Sequence, residues 1–401
     1  MGIKGFNTIL KKVTKGITTI TYESCAGQTW VIDASIYIYR FLYNTQGKKP
    51  NSHLDGFYQL LTRLLKNKIR PVVVFDGHAP SEKRHTIDQR AQIHQKKIEK
   101  LMDLQMDLIQ ACSTTDGTFA VEVEDPLISQ VTFQVDKEDL NELTDSPTIL
   151  QASASSSETT SKEVKQITDE ITHLNKGLFT FQPNLFEDLQ LLCDLLDVPL
   201  IQATGEADAL CGKLYQTGQV QAIMSEDSDI LLYGGGRLVR KFNYSETLEL
   251  LDLNLILQSL GITLDQLIDL CLLCGTDYTK ETIEGLGPVG ALCLIQKGLT
   301  IEQIIDEIQR GKLGHRYHMP DESTFTYKEA RSLIKTAHEI EPAIEIAPFD
   351  LTHVDFPRLS QLMKEKCRYR PDTMTKHYEQ LKTTYEPPRP KIKIVLKKTF
   401  F

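Results

Sequence analysis

No stretch of this 401-residue sequence approaches the roughly 18 consecutive apolar residues of a membrane-spanning helix. The start, Met1 to Val13, carries lysines and lacks an apolar h-region, so no secretory leader is expected. Gly2 follows Met1 as in myristoylated chains, but Phe6 stands where that motif needs Ser or Thr. The eight cysteines are scattered, unlike the framework of a small secreted scaffold. Only Cys271 and Cys274 form a CxxC. They lie in an apolar helical pattern, with no second pair and no histidine cluster, and read as buried core thiols rather than zinc ligands. No internal repeat is present. These absences predict an intracellular, soluble, non-membrane protein, expected as a monomer.

Acidic residues outnumber basic ones, 54 to 45, giving a net charge of −9. Residues 101–172 hold 15 of those acids against 3 lysines, and the rest of the chain has 42 basic and 39 acidic residues. The acidity is therefore local and does not exclude a nucleic-acid partner. Basic stretches occur at Arg63–Arg70, Lys83–Lys100 and Arg389–Lys398, each by itself no more than a solvated face.

Three short apolar runs end in carboxylates: Thr29–Asp33, Pro71–Asp76 and Gln221–Asp229. Helical patterns at Leu54–Leu65, Leu185–Leu196 and Ala207–Tyr215 separate them, so the pattern predicts an α/β fold with a mostly parallel central sheet flanked by helices. The reading divides the chain into blocks 1–100 and 173–250 around an acidic, partly flexible insertion at 101–172. That insertion has alternation suited to a β-hairpin near Asp125-Pro126 and a Ser-rich run, 152–161. A helical region follows at 251–345, then a C-terminal extension with a basic tail, 346–401.

In an open parallel sheet, ligands bind beyond the carboxyl ends of the strands. Asp33, Asp76, Asp227 and Asp229 fall there. In an extended chain Asp227 and Asp229 share a face, whereas Glu226 points away. Glu206 and Asp208 open a helix, and Asp277 follows one. Singly, each acid reads as a turn former or helix cap. Together they need cations, and an all-oxygen donor set without His or Cys suits Mg²⁺ or Mn²⁺. Two such ions about 4 Å apart serve in-line attack on a phosphodiester.

The motifs Met1-Gly-Ile-Lys-Gly5, Val31–Ser35, Val74–Gly77, Glu206–Ala209, Ser225–Asp229, Gly275–Tyr278 and Gly285–Gly290 resemble, in order and spacing, the flap endonuclease/XPG family of structure-specific 5′ nucleases. The resemblance covers residues 1–100 and 173–345 and implies a PIN-like nuclease core. It implies that Asp33, Asp76, Glu206, Asp208, Asp227, Asp229 and Asp277 hold two Mg²⁺ ions (Mn²⁺ substituting), which generate the attacking hydroxide and stabilise the leaving oxygen. Lys83 and Arg90 would stand over the scissile phosphate from one helical face. Tyr39 would stack on a base, and Gly2, after loss of Met1, would lie close to the site. Gly285, Gly287 and Gly290 would form the turn of a helix–two-turn–helix element that holds duplex backbone with K⁺. Glycines and a helix N-terminus independently suit phosphate there; the plain alternative is a Gly C-cap followed by Pro at a helix start, and the two accounts are compatible.

The sequence also departs from the family. Asp208 stands where the flap branch commonly has Glu, and 101–172 is longer and more acidic than a simple arch. The tail Lys397–Phe401 resembles a sliding-clamp-binding box but lacks its glutamine, with Leu396 one residue out of register. The resemblance implies a Mg²⁺-dependent DNA endonuclease at single-strand/double-strand junctions, with 5′-flap cleavage favoured and nuclear residence. Within the class, a 5′→3′ exonuclease and an XPG-like repair endonuclease stay open; outside it, a catalytically inert DNA-binding scaffold or a PIN-type ribonuclease.

Overall fold

Strand β2 (Thr29–Asp33) is buried at every position, as a central strand covered on both faces must be. The structure is a computed structural model that describes residues 3–45, 51–78, 80, 83–113, 158–175, 184–242, 245–279, 281–321, 323–341, 344–346 and 354–385. Among the described residues seven strands form one sheet: β1 (Ile17–Thr21), β2, β3 (Arg70–Phe75), β4 (Leu200–Gln202), β5 (Ala222–Met224), β6 (Arg237–Arg240) and β7 (Thr247–Asp252). Their order is β1-β7-β6-β5-β2-β3-β4. The run from β6 to β4 is parallel; β7 and then β1 add an antiparallel edge.

Strand alternation sorts the core into two layers. Val31, Val74, Ile223, Leu238 and Leu251 face one helical layer. That layer comprises α1 (Phe6–Leu10), α7 (Ala207–Gln216), α8 (Leu253–Leu260), α9 (Leu264–Cys274), α10 (Pro288–Gln296), α11 (Ile301–Gln309) and α12 (Tyr327–Ile340). Trp30, Ile32, Val73, Phe75 and Met224 face the other, built from α2 (Ala34–Thr45), α3 (Ser52–Lys66), α6 (Leu185–Leu195), α13 (Phe356–Cys367) and α14 (Pro371–Tyr385). Asp33 and Asp76 continue the parity of Val31 and Val74, so both turn toward the layer that holds α7. Helix starts follow local chemistry: Thr263 with Gln266 and Thr300 with Gln303 form capping boxes on α9 and α11.

Cys271 and Cys274 are buried in α9, as core thiols. The insertion differs from its sequence reading. Helix α4 (Arg84–Ser113) runs through the expected boundary at residue 100 and packs along α5 (Glu158–Asn175), with Lys100 Nζ 2.6 Å from Glu170 Oε1. The hairpin expected near Asp125-Pro126 lies outside the described residues, as do Gly2, the serine run up to Ser157 and the clamp-like tail. The C-terminal extension contains α13 and α14, which close over α3 and leave most of that helix buried. Two buried polar groups on α3 are paired: Tyr369 OH donates to Asp55 Oδ1 at 2.6 Å, and Thr62 Oγ1 to Tyr58 O at 2.6 Å, whereas His53 Nε2 is buried without a hydrogen-bond partner among the described residues.

Candidate active site

The carboxylate rim is assembled from five separate segments. Asp33 ends β2; its Oδ1 accepts the Ser35 N–H at 3.1 Å and its Oδ2 the Ser225 hydroxyl at 2.9 Å. Asp76 follows β3 and accepts the Ala207 N–H at 2.8 Å, which fixes the start of α7 against the end of β3. Glu206 is the N-cap residue of α7 and Asp208 lies in its first turn. Beyond β5 the chain leaves extended geometry. The Asp227 N–H donates to Ser225 Oγ and the Asp229 N–H to Asp227 Oδ1, each at 3.0 Å, and Asp229 begins a 3₁₀ turn. The two aspartates are brought together by this turn, not by the strand alternation expected from sequence. Glu226 does point away: it pairs with Arg40 and accepts the Lys241 and Phe242 N–H groups.

The rim acts on itself electrostatically. Burial, and next the Asp76 carboxylate, push the Asp33 carboxyl up to about 7, with the Ser225 hydrogen bond opposing. Burial raises Asp208 well above the usual carboxylate range, with Asp33 and Asp227 adding to it. Asp229 is raised in the same way, by burial and then by Asp227. Asp277 contributes to that shift, which joins the fifth segment to the group.

Two cations meet the acids. Lys83, just before α4, pairs with Glu206, and its ammonium lies 5.0 Å from the centre of the Tyr278 ring. Burial works against its charge, but Glu206 and Asp208 outweigh that and hold its pKa above the ordinary lysine value. Arg90 Nη2 is 2.6 Å from Asp277 Oδ2. Thr86 Oγ1 donates to Asp277 O at 2.7 Å, so three residues at the base of α4 grip the rim. The spacing of Lys83 and Arg90 thus aims both inward, although the helix begins only at Arg84.

Tyr39 is 41% exposed on α2 and is not a core aromatic. Its pKa is raised by burial of its hydroxyl, and it feels Arg90 and Asp76, which sets it at the rim's edge. Ile3, next to the undescribed Gly2, donates its N–H to Asp229. The turn Gly285–Gly290 leads into α10. At Gly285, φ is +82° and a Cβ would meet Arg316 O at 2.4 Å, so glycine is required there by a backbone crossing. Gly287 caps α10 with open space around it, and Pro288 is the first helical residue. A Cβ at Gly290 would meet Leu286 at 3.3 Å and the Tyr317 hydroxyl at 4.0 Å.

Sequence reasoning missed Ser225, Tyr233, Tyr278 and Glu341. Tyr278 donates to Glu206 and shares a hydrogen bond with Tyr233; Tyr278 stood in the Gly275–Tyr278 motif without a role of its own. Ser225 alternates with Asp227 in the Ser-Glu-Asp-Ser-Asp run, which was a readable signal.

Among the described residues no three carboxylates close on one point as a preformed coordination shell. The donor set nevertheless fits a hard divalent ion that keeps much of its water: every donor is oxygen. Asp229 Oδ1 is buried without a hydrogen-bond partner among the described residues. An orphaned carboxylate oxygen among other acids is where a cation restores the lost solvation.

Residues 1–97 match the XPG N-terminal domain and residues 197–277 the XPG I-region. Flap endonuclease 1-A of Physcomitrium patens is 28% identical over 397 residues, spanning 95% of this chain and 84% of the relative. Flap endonuclease 1 of Zea mays is 29% identical over 398 residues, spanning 96% and 87%. In fold, the catalytic core of Rad2 in complex with DNA substrate superposes with a TM-score of 0.62 at 22% identity, covering 95% of this chain and 100% of that one. The two matched domains supply the rim, one bringing Asp33 and Asp76 with Lys83 and Arg90, the other Glu206 to Asp277, and the chain belongs to the flap endonuclease/XPG family.

Proposed function

We propose that the chain is a metal-dependent, structure-specific DNA nuclease that hydrolyses a phosphodiester at single-strand/double-strand junctions, with 5′ flaps as the favoured substrate. The observation that carries this reading is the convergence of acids from five segments on a space that also receives Lys83 and Arg90.

Asp33, Asp76, Glu206, Asp208, Asp227, Asp229 and Asp277 would hold two Mg²⁺ ions, with Mn²⁺ able to substitute. Bound there, the ions supply Lewis acidity for attack by water and for departure of the leaving oxygen. The chain's own groups do the rest. Ser225 fixes the Asp33 carboxylate and the Asp227 backbone relative to each other. Tyr278 and Lys83 hold the two oxygens of Glu206. Lys83 and Arg90 exchange their carboxylate partners for the non-bridging oxygens of the phosphate, where charge grows during displacement. Tyr39 stacks on the base beside the cut. The Gly287 cap would present backbone N–H groups to duplex phosphate, where K⁺ would assist. A nuclear setting suits such work.

The test uses labelled 5′-flap, nicked and blunt-duplex DNA and single-stranded RNA, with Mg²⁺ or EDTA, beside Asp227→Asn. Flap cutting near the junction should require Mg²⁺ and vanish in the variant. Undiminished cutting by Asp227→Asn would remove the rim as the source of activity. Tight flap binding without cutting by the unaltered chain would identify an inert scaffold.

A further inference from the structure

The segment Ala203–Glu206 joins β4 to α7 and lies against the turn that follows β3. The Ala203 N–H donates to Phe75 O at 2.9 Å, the Gly77 N–H to Gly205 O at 2.7 Å and the His78 N–H to Thr204 O at 3.1 Å. With the Ala207 N–H on Asp76 Oδ1, these bonds make one backbone unit from two distant stretches of chain. That unit carries three of the seven rim acids: Asp76, Glu206 and Asp208.

The carbonyls of Thr204 and Gly205 are used by the Asp76 turn, and their N–H groups are met by Glu341. Its Oε2 accepts the Thr204 N–H at 3.0 Å and its Oε1 the Gly205 N–H at 2.8 Å. The residue is 3% exposed, so water does not compete for either bond. Lys213 Nζ, from α7, donates to Glu341 O at 2.5 Å and ties the same residue to the helix that Glu206 and Asp208 open. Glu341 directly follows α12, whose Ala330 and Ile334 are anchored in the core.

We propose that Glu341 is a positioning residue for the metal-binding rim: its carboxylate grips two consecutive N–H groups and sets the place of Glu206 and Asp208 relative to Asp76. The inference rests on the nuclease reading for its consequence but on geometry alone for the grip. A carboxylate held by two backbone donors is a charge-assisted, fork-like contact, stronger and more directional than a neutral one. Without it two N–H groups in a water-poor setting lose their acceptor, and the segment relaxes to recover one. Glu206 and Asp208 move with the segment. Because α12 follows the helical region that contains the Gly285–Gly290 turn, the same residue joins that region to the rim.

The experiment uses the full chain as Glu341→Ala and Glu341→Gln. In metal-free protein, hydrogen exchange at the Thr204 and Gly205 amides should speed at least about tenfold in Glu341→Ala, while amides of β2 and β3 keep their protection. Calorimetric titration with Mg²⁺ alone should show affinity weakened about 10- to 100-fold, the usual effect of removing a group that orients metal ligands. In cleavage assays kcat at fixed sub-saturating Mg²⁺ should fall with little change in KM, and added Mg²⁺ should recover it. Glu341→Gln retains one accepting oxygen and opposes the other N–H with an amide donor, so its effects should be intermediate. Unchanged exchange at the two amides overturns the grip. Unchanged Mg²⁺ affinity in a variant with a lowered melting temperature overturns the positioning role and leaves a structural strut. If the unaltered chain cuts no substrate, the nuclease reading fails, while the exchange result still decides the grip.

Discussion

Removing divalent metal should make this protein lose stability as the pH rises toward neutrality. Asp33 has its pKa pushed from 3.8 up to about 7 in the fold by burial and by Asp76. Between about pH 4 and pH 7 the folded state therefore holds a proton that the unfolded state has released, and stability falls with rising pH across that window. A shift of about three units corresponds to roughly 4 kcal/mol in total, of which about 2 kcal/mol falls between pH 5.5 and 7. Asp33 is 5% exposed, so solvent screening takes little from this figure. At about 2–4 °C per kcal/mol for mid-sized domains, the metal-free melting temperature should drop by several degrees between those two pH values. The assay is a thermal melt in EDTA and in saturating Mg²⁺, for the native chain and Asp33→Asn. Mg²⁺ should flatten the dependence by neutralising the rim, and Asp33→Asn should make it shallower without metal, the remaining slope coming from Asp208 and Asp229. Equal pH slopes for the native chain and Asp33→Asn, both metal-free, would refute the reasoning.

Four further outcomes are expected. Lys83→Ala should lower flap cleavage about 10²- to 10³-fold, the scale for losing one preorganised charge-stabilising group, while flap affinity changes far less; equal losses in both would make Lys83 only a DNA anchor. Arg40→Glu and Glu226→Arg should each lower the melting temperature and cleavage, because their ion pair ties α2, with Tyr39, to the Asp227 turn. The double exchange should recover about half of both losses or more, and no recovery would deny the pair that role. Gly77→Ala should destabilise by at least about 1–3 kcal/mol in urea melts, since its Cβ would stand 2.1 Å from Ala203 O. Gly287→Ala, with nothing within 4 Å of its Cβ, should unfold as the native chain does.

The central strands were legible because burial on both faces leaves a plain apolar run ending in a carboxylate, as at Thr29–Asp33 and Pro71–Asp76. Leu200–Gln202 and Arg237–Arg240 were not, since three or four residues give too little alternation to distinguish from loop. Asp33, Asp76, Asp227 and Asp229 were readable as strand-end carboxylates, Glu206, Asp208 and Asp277 only as acids at helix ends, and the family resemblance supplied the grouping of all seven. What joins Asp227 to Asp229 was misread, because a side-chain-closed turn leaves the same residues in the same order as a strand. Glu341 was hidden for a different reason: its partners lie 136 and 137 positions away in sequence, and nothing local marks a glutamate at a helix end as a ligand of someone else's backbone.

Helix α4 has 30 residues and so extends about 45 Å from its base, at 1.5 Å per residue. Lys83, just before its start, and Thr86 and Arg90, in its first two turns, act at its base, while the helix runs on to Ser113. Growth or shrinkage of the insertion is thereby spliced in at the far tip of a stiff mast, remote from the reacting phosphate. A chain built this way can acquire new outer contacts by lengthening at that tip without re-tuning the charges at its foot.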